Sequence, residues 1–160
     1  MTISVWRIAA DTPDYTADDL SGKGAEVAGG RWNRKGTPVV YTSTNIALAC
    51  LETVVHLNTG GLPLNRYLVE IKIPDAVWGA RRVPPVSSLP VGWDASPPGL
   101  VSLNFGDAWL ASKRSTLLQV PSVIIPEENN VLINPLHGSW VGAQIAAVKR
   151  RRWLYDARVR

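Results

Sequence analysis

Cysteine is almost absent. The 160-residue chain carries one, Cys50, which excludes an internal disulfide framework. Histidine occurs twice, as His56 and His137, and no Cys/His group has the spacing of a zinc site. Long apolar runs are missing as well. The most apolar stretch, Ile46–Leu57, is interrupted by Glu52 and His56, and it falls short of the ~20 apolar residues that cross a bilayer. Asp11, Asp14, Asp18 and Asp19 follow soon after the first apolar run, unlike a signal peptide. The nucleotide loops GxGxxG and GxxxxGK[ST] do not occur, nor does the metalloprotease motif HExxH. What remains is 46% hydrophobic and 19% charged, the balance of a folded protein rather than a disordered one. The expectation is a soluble protein of a reducing compartment, the cytoplasm, with no membrane contact.

Tryptophan, by contrast, is abundant: seven occur against a single Phe. The net charge is +4, and its excess sits at one end. Lys149–Arg160 holds six basic residues and one acid, so the rest of the chain is nearly neutral. A positive balance suits a phosphate-bearing ligand, nucleic acid or an acidic partner without choosing among them. The run Lys149–Arg152 reads either as a solvated helix end, whose dipole favours cations, or as part of a nucleic-acid-binding module with Trp153 and Tyr155.

Hydrophobic periodicity predicts strands at Ser4–Ala9, Val39–Ser43, Arg66–Pro74, Leu117–Pro126, Val131–Pro135 and Arg152–Arg158. In the third, Tyr67, Val69, Ile71 and Ile73 share one face. Helices are predicted over Ile46–Leu57, with Ser43, Thr44 or Asn45 as cap, over Leu103–Ser115 and over Val141–Lys149. Asp11–Ala28 reads as loop, and the proline-rich Trp78–Gly99 as a long irregular connection. Pro121 marks an edge or a bulge. Strands and helices interleave without regular βαβ spacing, which points to an α+β fold. With no repeat and no linker, residues 1–160 read as one domain.

Four residues stand out chemically. Glu52 lies in the apolar helical stretch ALACLETVV, so its carboxylate is either paired with His56 at the surface or functional. Arg31 follows Gly29-Gly30, where a guanidinium can grip a phosphate or carboxylate; the alternative is a structural pairing with Glu52 or an aspartate. Tyr41 shares a strand face with Val39 and Ser43. Ser122 is a hydroxyl in an apolar strand with no histidine base in a nucleophile-elbow context, which argues against a serine hydrolase. These observations stop short of a reaction.

The ordered series does more. Arg7, then GGRWN (Gly29–Asn33), G-x-x-VVYTS (Gly36–Ser43), ALACLE with His56 (Ala47–His56), VPSVIIPEENNVLINP (Val120–Pro135) and YDARV (Tyr155–Val159) resemble the RES domain family, named for Arg, Glu and Ser. The resemblance implies an ADP-ribosyltransferase-like fold, with split β-sheets and flanking helices around an NAD cleft. It implies a toxin of a type II toxin–antitoxin pair that degrades NAD⁺ at the nicotinamide–ribose bond by hydrolysis or phosphorolysis, arresting growth. In some relatives ADP-ribose is instead transferred to a protein. It also implies an Xre-type helix-turn-helix antitoxin that blocks the cleft, a higher-order complex, and DNA contact only through that antitoxin. Carried onto this chain, Glu52, Arg31 and Ser122 become catalytic candidates. Arg31, Tyr41, Arg7 and Asn134 become NAD⁺-binding candidates, with NAD⁺ as substrate and no metal. The middle, Trp78–Arg114, matches no motif.

Overall fold

The computed structural model describes residues 1–57, 60–138 and 147–159. The elements in chain order are β1 Thr2–Ala10, α1 Lys23–Ala28, β2 Val40–Ser43, α2 Ile46–Val54, β3 Arg66–Pro74, α3 Asp75–Gly79, α4 Leu100–Ser112, β4 Leu117–Pro121, β5 Asn129–Ile133 and β6 Ala147–Trp153. The strands form a six-stranded antiparallel sheet in the order β4-β5-β2-β1-β3-β6, and the fold is α+β.

Each face of the sheet is covered. Val5, Val69, Ile71 and Ile73 pack with Val40, Val131, Ile133 and Leu117 on one side, together with Val77 of α3. On the other, Ile8 and Leu68 meet Ala49 of α2, while Leu118, Val120 and Leu132 meet Trp109 and Leu110 of α4. Burial on both faces explains why β1 carries apolar residues of both parities. The expected alternation in Arg66–Pro74 is realised, with Val69, Ile71 and Ile73 fully buried.

The expected pair of split sheets takes the form of one sheet with a weak seam. β1 pairs with β3 along its whole length, from Thr2 opposite Pro74 to Ala10 opposite Arg66. It meets β2 only where Trp6 lies opposite Ser43. β2 instead runs beside β5, from Val40 opposite Ile133 to Ser43 opposite Asn130. Past the Trp6–Ser43 pair, β1 and β2 part.

Several expectations are corrected. Asp11–Ala28 is not all loop, because its last six residues form α1. The helix after β2 ends at Val54, with Asn45 as its cap: the Asn45 side chain accepts from the Leu48 N–H at 2.8 Å. The helix expected at Leu103–Ser115 starts and stops three residues earlier. β4 ends at Pro121, which cannot donate to a ladder, and β4 is an edge strand as that proline suggested. β5 runs from Asn129 to Ile133, two residues earlier at each end than the expected Val131–Pro135. Trp78–Gly99 is irregular apart from the end of α3, a single parallel bridge from Arg82 to Leu118 of β4, and a 3₁₀ turn at Val86–Ser88.

The basic run is the largest departure. Lys149 lies in β6 and not in a helix, while residues 141–146 of that expected helix lie outside the described residues. β6 ends at Trp153, so the strand expected over Arg152–Arg158 is displaced; Ala157–Val159 is a 3₁₀ turn. The run is built into the sheet. Arg150 stacks 3.9 Å over the Tyr67 ring and forms a two-pronged pair with Asp11, each contact 2.9 Å. Arg152 donates to the Leu64 carbonyl.

Candidate active site

The parting of β1 and β2 opens a cleft of about 960 Å³. Arg7–Ala10 of β1 and Tyr41–Ser43 of β2 line its two sides, and Glu52 enters from α2. The edge of β1 that β2 leaves unpaired therefore faces the cavity, with Arg31 from the Gly29-Gly30 loop beside it.

Glu52 is held by two neutral donors. Its Oε1 accepts from Ser122 Oγ at 2.7 Å and from Asn130 Nδ2 at 2.7 Å. Both donors are fixed from behind. Ser122 Oγ accepts from the backbone N–H groups of Ile124 and Ile125, at 3.1 and 3.2 Å, so its proton is directed to Glu52. Asn130 Oδ1 accepts from Ser43 Oγ at 2.7 Å, which orients the amide. No hydrogen bond engages Oε2 among the described residues, and it is the oxygen available to a ligand. His56 lines the same cleft but forms no ion pair with Glu52 among the described residues, so the surface-pair reading of Glu52 is not what the fold adopts.

Arg31 is gripped by backbone. Its Nη1 donates to the Trp93 carbonyl at 3.0 Å and to the Ala95 carbonyl at 2.7 Å. Neutral acceptors fix the guanidinium without cancelling its charge, leaving its other nitrogens for an anion. Burial lowers its pKa from the ordinary value, while the charges of Glu52 and Asp94 oppose that fall. The proline-rich segment thus has a function in the site: it holds Arg31, and Ser96–Pro98 form part of the cleft wall. Trp93 is anchored by stacking on Trp32, with ring centroids 6.1 Å apart.

Tyr41 lines the cleft, and its hydroxyl is committed. The OH donates to Asn33 Oδ1 at 2.7 Å and accepts from the Trp32 N–H at 3.0 Å. Burial raises its pKa far above the ordinary phenol value, so the hydroxyl stays protonated. Gly30 is required by this contact, because a Cβ there would lie 2.6 Å from the Tyr41 oxygen. Arg7 lines the cleft, and its side chain makes no hydrogen bond or ion pair among the described residues; burial lowers its pKa, opposed by Asp19 and Tyr15.

Arg7, Arg31, Tyr41 and Glu52 therefore share one cavity, with Ser122 fully buried directly behind Glu52. Asn134 does not join them. It is buried, its amide donating to the Leu110 carbonyl and its oxygen accepting from the Leu136 N–H, so it shapes the turn after β5. Sequence reasoning passed over Asn130 and Ser43. The one signal was a carboxylate in an apolar helical stretch, which needs donors if it is held there, and nothing in the sequence singled out Asn130 or Ser43 as supplying them. The carbonyls of Trp93 and Ala95 had no such signal, since any residue supplies one. Among the described residues, no group of three His, Cys, Asp or Glu side chains is placed to hold a metal ion, and no helix is long and apolar enough to cross a membrane.

An α+β sheet opened along one seam, with a braced carboxylate and two arginines lining the gap, defines the class. The chain matches the RES domain over residues 4–156 and belongs to that family. It is 60% identical to the Prs ADP-ribosylating toxin of Sphingobium sp. (strain YBL2), over 99% of this chain and 98% of that one. It is 36% identical to Toxin Res of Pseudomonas putida, over 97% of this chain and 98% of that one. With Toxin Res of Yersinia enterocolitica it shares 34% identity, over 91% of this chain and 93% of the relative. The chain is a toxin of the RES family.

Proposed function

We propose that this toxin binds NAD⁺ in the seam cleft, breaks the nicotinamide–ribose bond and passes ADP-ribose to a protein acceptor. The observation that carries the reading is the convergence of Glu52 and Arg31 on one cavity, with Glu52 Oε1 pinned and Oε2 open. Heterolysis of the C1′–N bond sends the electron pair to nicotinamide, which leaves neutral, so no strong acid is needed. The ribose becomes oxocarbenium-like, and the Glu52 carboxylate stabilises that positive charge and accepts from a ribose hydroxyl. A nucleophile on the acceptor then bonds to C1′, and its proton passes to Glu52 or to water. Arg31 and Arg7 neutralise the pyrophosphate, which turns binding energy into orientation. The Tyr41 ring offers a stacking face for nicotinamide. Ser122 acts through Glu52 as a positioning residue.

The protein acceptor is favoured over water and phosphate by the relative at 60% identity, whose name assigns it ADP-ribosylation of Prs. A cytoplasmic site of action and an Xre-type antitoxin that blocks the cleft in a higher-order complex belong to the same proposal, and the toxin names of the relatives support a toxin–antitoxin setting. The test is mass spectrometry of products after incubation with NAD⁺, with purified Prs or with inorganic phosphate added. ADP-ribose covalently on Prs, together with released nicotinamide, supports transfer. Nicotinamide release with free ADP-ribose only, or with a phosphorylated ADP-ribose that requires phosphate, keeps the cleavage and overturns the acceptor. No nicotinamide release under any condition overturns the whole reading.

A further inference from the structure

The segment after β1 carries four acids, and the structure divides them. Asp11 and Asp18 both pair with Arg150. Asp14 is exposed. Asp19 lines the cleft together with Tyr15, Thr12 and Arg7. Its Oδ2 accepts from Ser21 Oγ at 2.7 Å, which fixes the carboxylate and leaves Oδ1 free of any hydrogen bond among the described residues. Asp19 and Arg7 attract each other electrostatically yet form no ion pair within 4.0 Å. A cation and an anion thus line one end of a cavity with a gap between them. A sugar phosphate fills such a gap, with its phosphate on the guanidinium and its hydroxyls donating to the carboxylate.

Resting on the NAD⁺ reading above, we propose that this end of the cleft takes the adenosine ribose and its adjoining phosphate, and that Asp19 makes the site select NAD⁺ over NADP⁺. A ribose 2′-hydroxyl donates to a carboxylate, as acidic residues commonly accept from that hydroxyl in dinucleotide sites. A 2′-phosphate has no such proton and brings like charge against Asp19. Discrimination then comes from a repulsive element as much as an attractive one.

The test uses two products in place of reacting dinucleotides, so binding is read without turnover. Titration calorimetry on the intact chain compares ADP-ribose with 2′-phospho-ADP-ribose. Wild type is expected to favour ADP-ribose by about tenfold or more, the scale of one like-charge clash. Asp19→Asn should narrow that ratio, Asp19→Glu should keep it, and Arg7→Gln should weaken both ligands together. Thermal melts establish that each variant is folded. Equal binding of the two ligands by wild type, or an unchanged ratio in folded Asp19→Asn, overturns the assignment. If NAD⁺ is cleaved while the ratio ignores Asp19, this inference alone falls. If no nicotinamide is released and neither ligand binds, the NAD⁺ reading falls with it.

Discussion

At the scale of single residues, the site rests on one carboxylate held by neutral donors. Two hydrogen bonds at 2.7 Å fix Glu52 Oε1 without neutralising its charge, which keeps the group useful to a cation forming beside it. Glu52→Gln should therefore fold normally and lose roughly 10²–10³ in the rate of nicotinamide release, the usual cost of removing one such stabilising group. Circular dichroism and a product assay on the same sample check this, and undiminished turnover would remove Glu52 from the chemistry. Ser122→Ala tests the brace. It strips the donor to Glu52 and leaves the Ile124 and Ile125 N–H groups without their acceptor, a stability cost of about 1–3 kcal/mol. Because Ser122 is fully buried and reaches the cleft only through Glu52, kcat should fall, by up to about 10²-fold, while KM stays near wild type. A KM effect alone would place Ser122 in binding instead. Glu52 and Arg31 were legible in the sequence because a charge in apolar or glycine-rich surroundings stands out. Asn130 and Ser43 were not, since amides and hydroxyls near turns are common and only their register across β2 and β5 brings them together.

At the scale of elements, the site depends on how α4 and the proline-rich segment grip the Arg31 loop. Gly106 of α4 lies against Trp32, and a Cβ there would sit 1.8 Å from the Trp32 carbonyl oxygen. Helix propensity alone would make Gly106→Ala stabilising by ~0.5–1 kcal/mol. Overpacking against backbone reverses that sign and costs about 1–3 kcal/mol. A lower Tm and weaker ADP-ribose binding together are the expected result; a raised Tm would show that α4 can move away freely. β6 offers a second element-scale test. Arg150 holds Asp11 below its ordinary carboxylate value of 3.8, chiefly through the side-chain hydrogen bond. A carboxylate lowered on folding contributes stability above its unfolded pKa and loses it as pH falls through the folded one. The Tm gap between wild type and Arg150→Gln should thus be steady near neutral pH and close below about pH 4. A gap independent of pH would mean that stacking on Tyr67 is all that Arg150 contributes. β6 also marks where sequence reading fails for an element. Four cations in succession suit a solvated helix end as well as an edge strand, and only pairing with β3 decides between them. The strand Arg66–Pro74 needed no such context, because its alternation already separated a buried face from a polar one.

At the scale of the molecule, the sheet consists of two sets of strands joined through one residue pair. β4, β5 and β2 lie on one side of the Trp6–Ser43 contact, and β1, β3 and β6 on the other. The cleft that follows is lined from both sets: Arg7 from one, Tyr41 and Asn130 from the other. A ligand there restores contact across a seam the backbone leaves open, so binding and global stability are linked. ADP-ribose at 100 times its Kd should raise the unfolding free energy of the chain by about 2.7 kcal/mol, provided the unfolded state does not bind it. Glu52→Gln should keep most of that gain, because its loss falls on the transition state. Arg31→Ala should lose most of it, because the Trp93 and Ala95 carbonyls would then hold nothing that meets the pyrophosphate. Thermal melts of the three proteins across a ligand titration separate the cases. If Arg31→Ala folds and is stabilised as strongly as wild type, the dinucleotide is anchored elsewhere, and the seam is a gap in the sheet rather than the seat of the reaction.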